Sequence, residues 1–317
     1  VKPRHPLLHR LRRIAWWLVP VAVLALVARA ARAIDWRGVG EAMAGFDPGT
    51  LLVAALLSAT SYLVYCGYEL AARHYAHHAL SPRRTALIGG IAYALGLNIG
   101  ALFGATGARL RLYTRAGLGI AAVTRIVAFA TSTNWLGYLL LAGALFASGA
   151  VQAPSRFAAL AGALPWLGAA MLAAAALYLL ACWRLHGRMF HVRGHHFRLP
   201  SVPLALLQFA LAALNWALMA AILYVLLPAA ADYPTVLGAL LLAAVATALV
   251  HVPGGVGVLE AVFVAALAPR IPVAAVLAAL FAYRTLYYLL PLAAALPAYL
   301  LLELRGHTPA TATGENG

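Results

Sequence analysis

Carboxylates are scarce in this chain, with eight Asp and Glu against 23 Lys and Arg in 317 residues and a formal net charge of +15. Such an imbalance can signal nucleic acid. Here, however, the arginines stand in short clusters between apolar runs rather than along one soluble face, so no nucleic-acid partner is expected and the basic groups read as topology signals and as attraction to anionic head groups. Cysteine is nearly absent: Cys66 and Cys182 both lie inside apolar segments, which excludes a disulfide framework and favours packed thiols. The period-2 alternation of a membrane barrel is missing, as is a Gly-Lys-Ser/Thr after any glycine turn, which disfavours a nucleotide loop. There is no Ser-His-Asp or paired-carboxylate set and no long polar loop that would fold as a separate catalytic domain. No enzyme activity, cofactor or metal is therefore expected.

What is present is hydrocarbon: 64% of residues are hydrophobic and 10% charged. Apolar runs of bilayer length recur at Ile14 to Ala28, Leu51 to Leu70, Ala86 to Gly107, Ala121 to Ala147, Phe157 to Trp183, Leu204 to Leu227, Val236 to Ala268 and Val273 to Leu302. The expected fold is all-α, a polytopic integral membrane protein forming a single transmembrane domain over 1–317. The first run follows Lys2, Arg4, Arg10, Arg12 and Arg13 and reads as an uncleaved signal anchor. Residues 305–317 read as a disordered tail.

Two runs are unlike the rest. Ile88 to Arg111 holds six glycines and two arginines, and His251-Val-Pro-Gly-Gly-Val-Gly-Val-Leu-Glu260 breaks another run before closing on a carboxylate. Backbone that is free of helix and charge at membrane depth are tolerated only when buried in protein or lining a wet cavity. If every run down to Leu227 crosses once, nine basic residues fall inside and ten outside; if Ala86 to Gly107 enters from and returns to the cytoplasm, the count is fifteen against four. Only the second obeys the positive-inside rule. A second hairpin over Val236 to Ala268, dipping from the other side, gives about six full spans plus two re-entrant glycine-rich hairpins, with both termini cytoplasmic. The halves, about 14–147 and 157–302, then form an inverted repeat, the plan in which interrupted helices mark a translocation site. Val273 to Leu302 is long for one span and is expected to break near Arg284, Pro291 or Pro297.

Among the acids only Glu260 lies deep in an apolar run, Glu69 being placed at a span end, so Glu260 should be paired or protonated. Its candidate partners are Arg109, Arg125 and Arg284, with Arg125 also able to snorkel to the surface. Two readings stay open: a buried ion pair that locks helices, or a cavity in which Arg109 and Arg284 hold a phosphate through forked hydrogen bonds. Pro253, Gly254, Gly255 and Gly257 would direct free backbone N–H groups toward an anion, while Asn98, Gly104 and Gly107 belong to the facing break. The His74, His77 and His78 cluster and the His186, His191, His195 and His196 cluster read as solvated loops, for want of nearby acids.

Pro253-Gly-Gly-Val-Gly-Val-Leu-Glu260, Phe103-Gly-Ala-Thr-Gly-Ala-Arg109 and Arg284 ahead of a proline-containing last span resemble the lysylphosphatidylglycerol synthase transmembrane family, as a stand-alone member without the aminoacyl-transferase domain. The first glycine stretch departs from the family pattern in lacking a second acidic residue. The resemblance implies a bacterial inner-membrane, flippase-like transporter of phospholipids or related polar-headed lipids. A non-transporting accessory subunit of a lipid-synthesis enzyme is the alternative, so the partners in view are membrane phospholipids, such an enzyme, or a second copy of the chain.

Overall fold

The computed structural model describes residues 36–150, 158–185, 187–192, 195–250, 253–268 and 270–305. The expected first span and the expected disordered tail beyond residue 305 lie outside these. Among the described residues the chain is helical apart from one short antiparallel hairpin, β1 (Met189–Val192) with β2 (His195–Arg198), in the connection between two long helices.

The helices are α1 (Trp36–Ala44), α2 (Pro48–Ala76), α3 (Pro82–Ile99), α4 (Gly107–Arg115), α5 (Ile120–Ala147), α6 (Ala158–Arg184), α7 (Val202–Leu226), α8 (Tyr233–Val250), α9 (Val258–Leu267), α10 (Val273–Arg284) and α11 (Leu290–Arg305). Their starts follow from local chemistry. Asp47 caps α2 by accepting the Thr50 N–H at 3.0 Å, with Pro48 in the first turn, where no N–H is needed. Ser81 and Pro82 repeat the device at α3. Among the described residues six helices are long and apolar enough to cross a membrane: Pro48–Ala76, Ile120–Ala147, Gly162–Arg184, Val202–Leu226, Tyr233–Val250 and Val273–Leu304. Five of these are expected full spans, the sixth expected one, Ile14 to Ala28, lying outside the described residues. Tyr233–Val250, read from the sequence as one arm of a hairpin, reaches crossing length by itself.

Both glycine-rich stretches are interrupted helices. α3 ends at Gly100, whose φ of 105° is open to glycine and closed to most other residues. A π-helical segment, Ala101–Thr106, and α4 follow. The chain doubles back here, because residues equidistant from Gly100 touch: a Cβ on Gly96 would lie 2.8 Å from that of Ala105, and one on Gly104 would collide with the Leu95 carbonyl. Gly107, in contrast, is helical with nothing nearby. Gly104→Ala is therefore expected to force the arms apart and cost about 3 kcal/mol, while Gly107→Ala should be neutral or add up to about 1 kcal/mol. Thermal unfolding of the two purified variants checks this, and equal melting temperatures would count against the doubled-back packing.

The second break is a turn at Pro253–Gly255 between α8 and α9, in which Gly254, Gly255 and Gly257 all take left-handed φ, at 64°, 59° and 81°. α9 packs back on α8. The long last run breaks as expected: α10 ends at Arg284 and a π segment, Thr285–Leu289, precedes α11. Pro291 explains why. It has no N–H to offer the Tyr287 carbonyl one turn earlier, and that carbonyl instead accepts the Tyr62 hydroxyl at 3.2 Å.

A continuous core of Tyr65, Tyr93, Trp216, Tyr283, Tyr287 and aliphatic neighbours joins α2, α3, α7, α8 and α10. α6 is peripheral, with Trp166 79% and Leu177 63% exposed, as for a helix that faces lipid.

Candidate functional site

The two breaks meet. Gly254 packs on the end of α3, where a Cβ would stand 3.4 Å from the Asn98 carbonyl oxygen and 3.6 Å from that of Leu97. Asn98 bridges further, its Nδ2 donating to Ala94 O within α3 at 2.8 Å and to Tyr288 O, in the π segment after α10, at 3.1 Å. The π segment thus supplies a carbonyl that a regular helix would keep for itself.

Arg284 organises the second turn. Its Nε donates to Glu260 Oε1 at 2.6 Å and its Nη2 to Glu260 Oε2 at 3.2 Å, while Nη1 reaches Gly254 O at 2.9 Å and Nη2 reaches Gly255 O at 3.1 Å. The Gly257 N–H donates to Glu260 Oε2 at 2.8 Å. One guanidinium therefore neutralises the carboxylate and satisfies two carbonyls that the left-handed glycines expose, which a lysine could not do at once. Only 14% of the Arg284 side chain and 16% of that of Glu260 are exposed. The guanidinium also lies over the Tyr288 ring, 5.4 Å from its centroid.

Of the three candidate partners, Glu260 takes Arg284. Arg109 is elsewhere, forked onto Glu69 with Nη2 to Oε2 at 2.8 Å and Nε to Oε1 at 3.1 Å, and it also donates to the Tyr65 hydroxyl at 3.3 Å. Tyr113 adds a fourth contact, donating to Glu69 Oε1 at 2.9 Å. This pair is the deeper one, with side chains 4% and 0% exposed. Glu69, read from the sequence as a span-end residue, is in fact the most buried carboxylate described. A signal for it existed, because Ser58, Ser61, Tyr65 and Glu69 recur every three or four residues along α2, with Tyr68 next to Glu69, and so share one face of an otherwise apolar helix. The first glycine stretch itself holds no acid, as its sequence says, and the carboxylate that pairs with its Arg109 comes from the preceding helix. The two pairs are mirror images in charge. The first hairpin's second arm carries the cation and the second hairpin's carries the anion.

Between the pairs runs a buried polar network. Ser61 Oγ donates to Asn215 Oδ1 at 2.8 Å and pairs with the Tyr287 hydroxyl at 2.6 Å, which pairs with the Tyr93 hydroxyl at 2.7 Å; Asn215 Nδ2 donates to Tyr93 at 3.2 Å. Such a network is stabilising when its members are satisfied. Arg125 stands apart from both pairs, half-buried near the start of α5.

No three of His, Cys, Asp and Glu gather as a metal site among the described residues. His77 closes α2 in a left-handed cap, and His78 turns its ring edge onto Tyr113, with both nitrogens unbonded. Burial holds the His78 imidazole below its ordinary value, with the Arg73 charge adding to this and Glu69 opposing it.

Against known proteins, the chain is 40% identical over 300 residues to the inner membrane protein YbhN of Escherichia coli (strain K12), covering 94% of each. The chain belongs to the YbhN family. It is also 32% identical over 278 residues to slr0712, an uncharacterized protein of Synechocystis, with 85% of each covered. No family model matches. Membership of the YbhN family together with six apolar helices among the described residues makes this a multi-pass inner membrane protein.

Proposed function

We propose that the chain is a flippase-like carrier that moves a phospholipid or related polar-headed lipid between leaflets, of the lysylphosphatidylglycerol synthase transmembrane type, its described helices serving transport rather than catalysis. The observation that carries this reading is the tip-to-tip contact of two glycine-broken helices, one backed by a buried and the other by a half-buried Arg–carboxylate pair. Both breaks are read as re-entrant hairpins approaching from opposite faces, the termini being cytoplasmic, and the two halves as an inverted repeat. A head group crossing at this point needs polar partners at mid-depth while its acyl chains stay in hydrocarbon. Arg284 is the group best shaped for the phosphate, since its planar fork matches a phosphate as well as a carboxylate. Loading it requires the Gly254–Gly257 turn to release its two carbonyl contacts.

The arrangement described is closed, with both guanidinium groups engaged inside the protein, and this favours as a second reading an accessory subunit that scaffolds a lipid-synthesis enzyme. Reconstituted pure protein separates the two. On the carrier reading, wild-type vesicles scramble a fluorescent phospholipid and Glu260→Gln vesicles with equal protein content do not. Well-folded wild-type protein that leaves scrambling at the empty-vesicle rate would remove the carrier reading. Cysteine labelling from the outside within residues 107–118 would remove the first re-entrant hairpin.

A further inference from the structure

The two arginine–carboxylate pairs are joined by an unbroken line of tyrosines. At one end the Arg284 guanidinium lies over the Tyr288 ring, which meets the neighbouring Tyr287 ring edge-on with centroids 6.0 Å apart. The Tyr287 and Tyr93 hydroxyls pair at 2.7 Å, and the Tyr93 ring stacks on that of Tyr65, with centroids 3.6 Å apart and planes 11° from parallel. The Tyr65 hydroxyl accepts from Arg109 Nη2 at 3.3 Å, which completes the line.

A line of contacts transmits nothing unless some part of it can take a second arrangement. The π segment Thr285–Leu289 is the part suited to this. Its Leu290 N–H bonds back five residues to Thr285 O, a geometry that α-helices adopt only in single turns and often at working sites. The segment hands its polar groups to other helices. Tyr287 gives its carbonyl to Tyr62 and its hydroxyl to Ser61, both of α2, while Tyr93 and Asn98, which hold the Tyr287 hydroxyl and the Tyr288 carbonyl, belong to α3. α2 is the fixed support, tied to α7 by the Ser61–Asn215 hydrogen bond and by the close approach of Gly67 to Leu211. α3 is the arm that ends at Gly100, the first break. The segment therefore touches the second break through Arg284 and the first through α3.

We propose that Thr285–Leu289 is a coupling joint, in which a motion that frees Arg284 from the Gly254–Gly257 turn shifts Tyr287 and Tyr288 and pulls Tyr93 and Asn98 with them. The two breaks then loosen together instead of one at a time. Such coupling is reciprocal, so a disturbance in the joint reaches both. It is a property of the fold and does not rest on the carrier reading.

The test is amide exchange, read by mass spectrometry on the full-length protein in nanodiscs of phosphatidylethanolamine and phosphatidylglycerol. Tyr287→Phe keeps the ring and the carbonyl bond to Tyr62 and removes a hydroxyl whose hydrogen bonds reach neither glycine turn. It should raise exchange several-fold over both 95–106 and 254–260, with α2 and α7 unchanged. Tyr93→Phe removes the same bond from its other side and serves should the first variant misfold. Arg284→Lys should add a smaller rise over 95–106 to its main effect at the turn, and that rise should shrink when Tyr287→Phe is also present, as for residues in one network. Tyr178→Phe, which deletes a hydroxyl bonded to Gln208 at 2.7 Å away from the line, should leave both breaks as in the wild type. A rise at only one break, or at neither, would overturn the proposal. So would equal increments from Arg284→Lys with and without Tyr287→Phe, or loosening of both breaks by Tyr178→Phe.

Discussion

Arg109→Met is expected to remove most of the folded protein. Glu69 would be left with a full charge and 0% exposure, retaining only the Tyr113 hydroxyl as a donor. Breaking one side of a buried pair costs about 3–5 kcal/mol, comparable to the whole stability of many domains. Replacing both partners is a different matter. Glu69→Leu with Arg109→Met removes the stranded charge together with its need for a partner, and pairs exchanged for apolar groups of similar volume are often neutral. The double variant should therefore recover most of the melting temperature and of the monodisperse yield in detergent that the single variant loses. A double variant no better than Arg109→Met would mean that Glu69 and Arg109 do not depend on each other as their geometry requires. Recovery of fold without recovery of scrambling would tie this pair to transport as well as to stability.

The second large effect is expected at Arg284, where charge and shape can be separated. Arg284→Lys keeps a cation for Glu260 but has no fork, so the Gly254 and Gly255 carbonyls lose donors held at 2.9 Å and 3.1 Å. Hydrogen bonds to charged groups contribute about 1.5–3 kcal/mol each, so a loss of about 3 kcal/mol is expected, concentrated at the turn. Glu260→Gln does the reverse, keeping the carbonyl contacts while removing the neutralising charge and weakening the acceptor for the Gly257 N–H. Hydrogen exchange distinguishes them: the lysine variant should lose protection over residues 254–260 with α2 and α7 unchanged, and the glutamine variant should lose it more broadly. Identical protection in wild type and Arg284→Lys would show that the carbonyl contacts do not hold the turn.

Much of the architecture could be read before any coordinates, and the reason is local. Gly100, the Gly254 to Gly257 cluster and Pro291 act on the backbone at their own positions, so the two breaks and the interruption after Arg284 follow from residues a few positions away. The pairing of charges follows from no such neighbourhood. Arg109 and Glu69 are 40 residues apart, and which arginine meets Glu260 depends on how whole helices dock. Glu69 was hidden for a further reason: it stands near the end of an apolar run, where a carboxylate would ordinarily reach solvent, yet Gly89 of α3 lies against its side chain, closer than any Cβ could, and helps to close that exit. Tyr233–Val250 was assigned by the turn that follows it, although by length it reaches across a bilayer unaided. Its helical rise gives about 27 Å.

The reversed polarity of the two deep pairs bears on how the protein responds to an energised membrane. Each arginine is cancelled by the carboxylate beside it, so a couple that shifts as a unit displaces no net charge and the transmembrane potential does no work on it. A lone elementary charge crossing the field would be driven by about 2.3 kcal/mol per 100 mV. The intact couples are therefore electrically silent, and a voltage-dependent step in reconstituted vesicles would come either from a couple that separates or from the arginines outside them, such as Arg83, Arg84, Arg111 and Arg115.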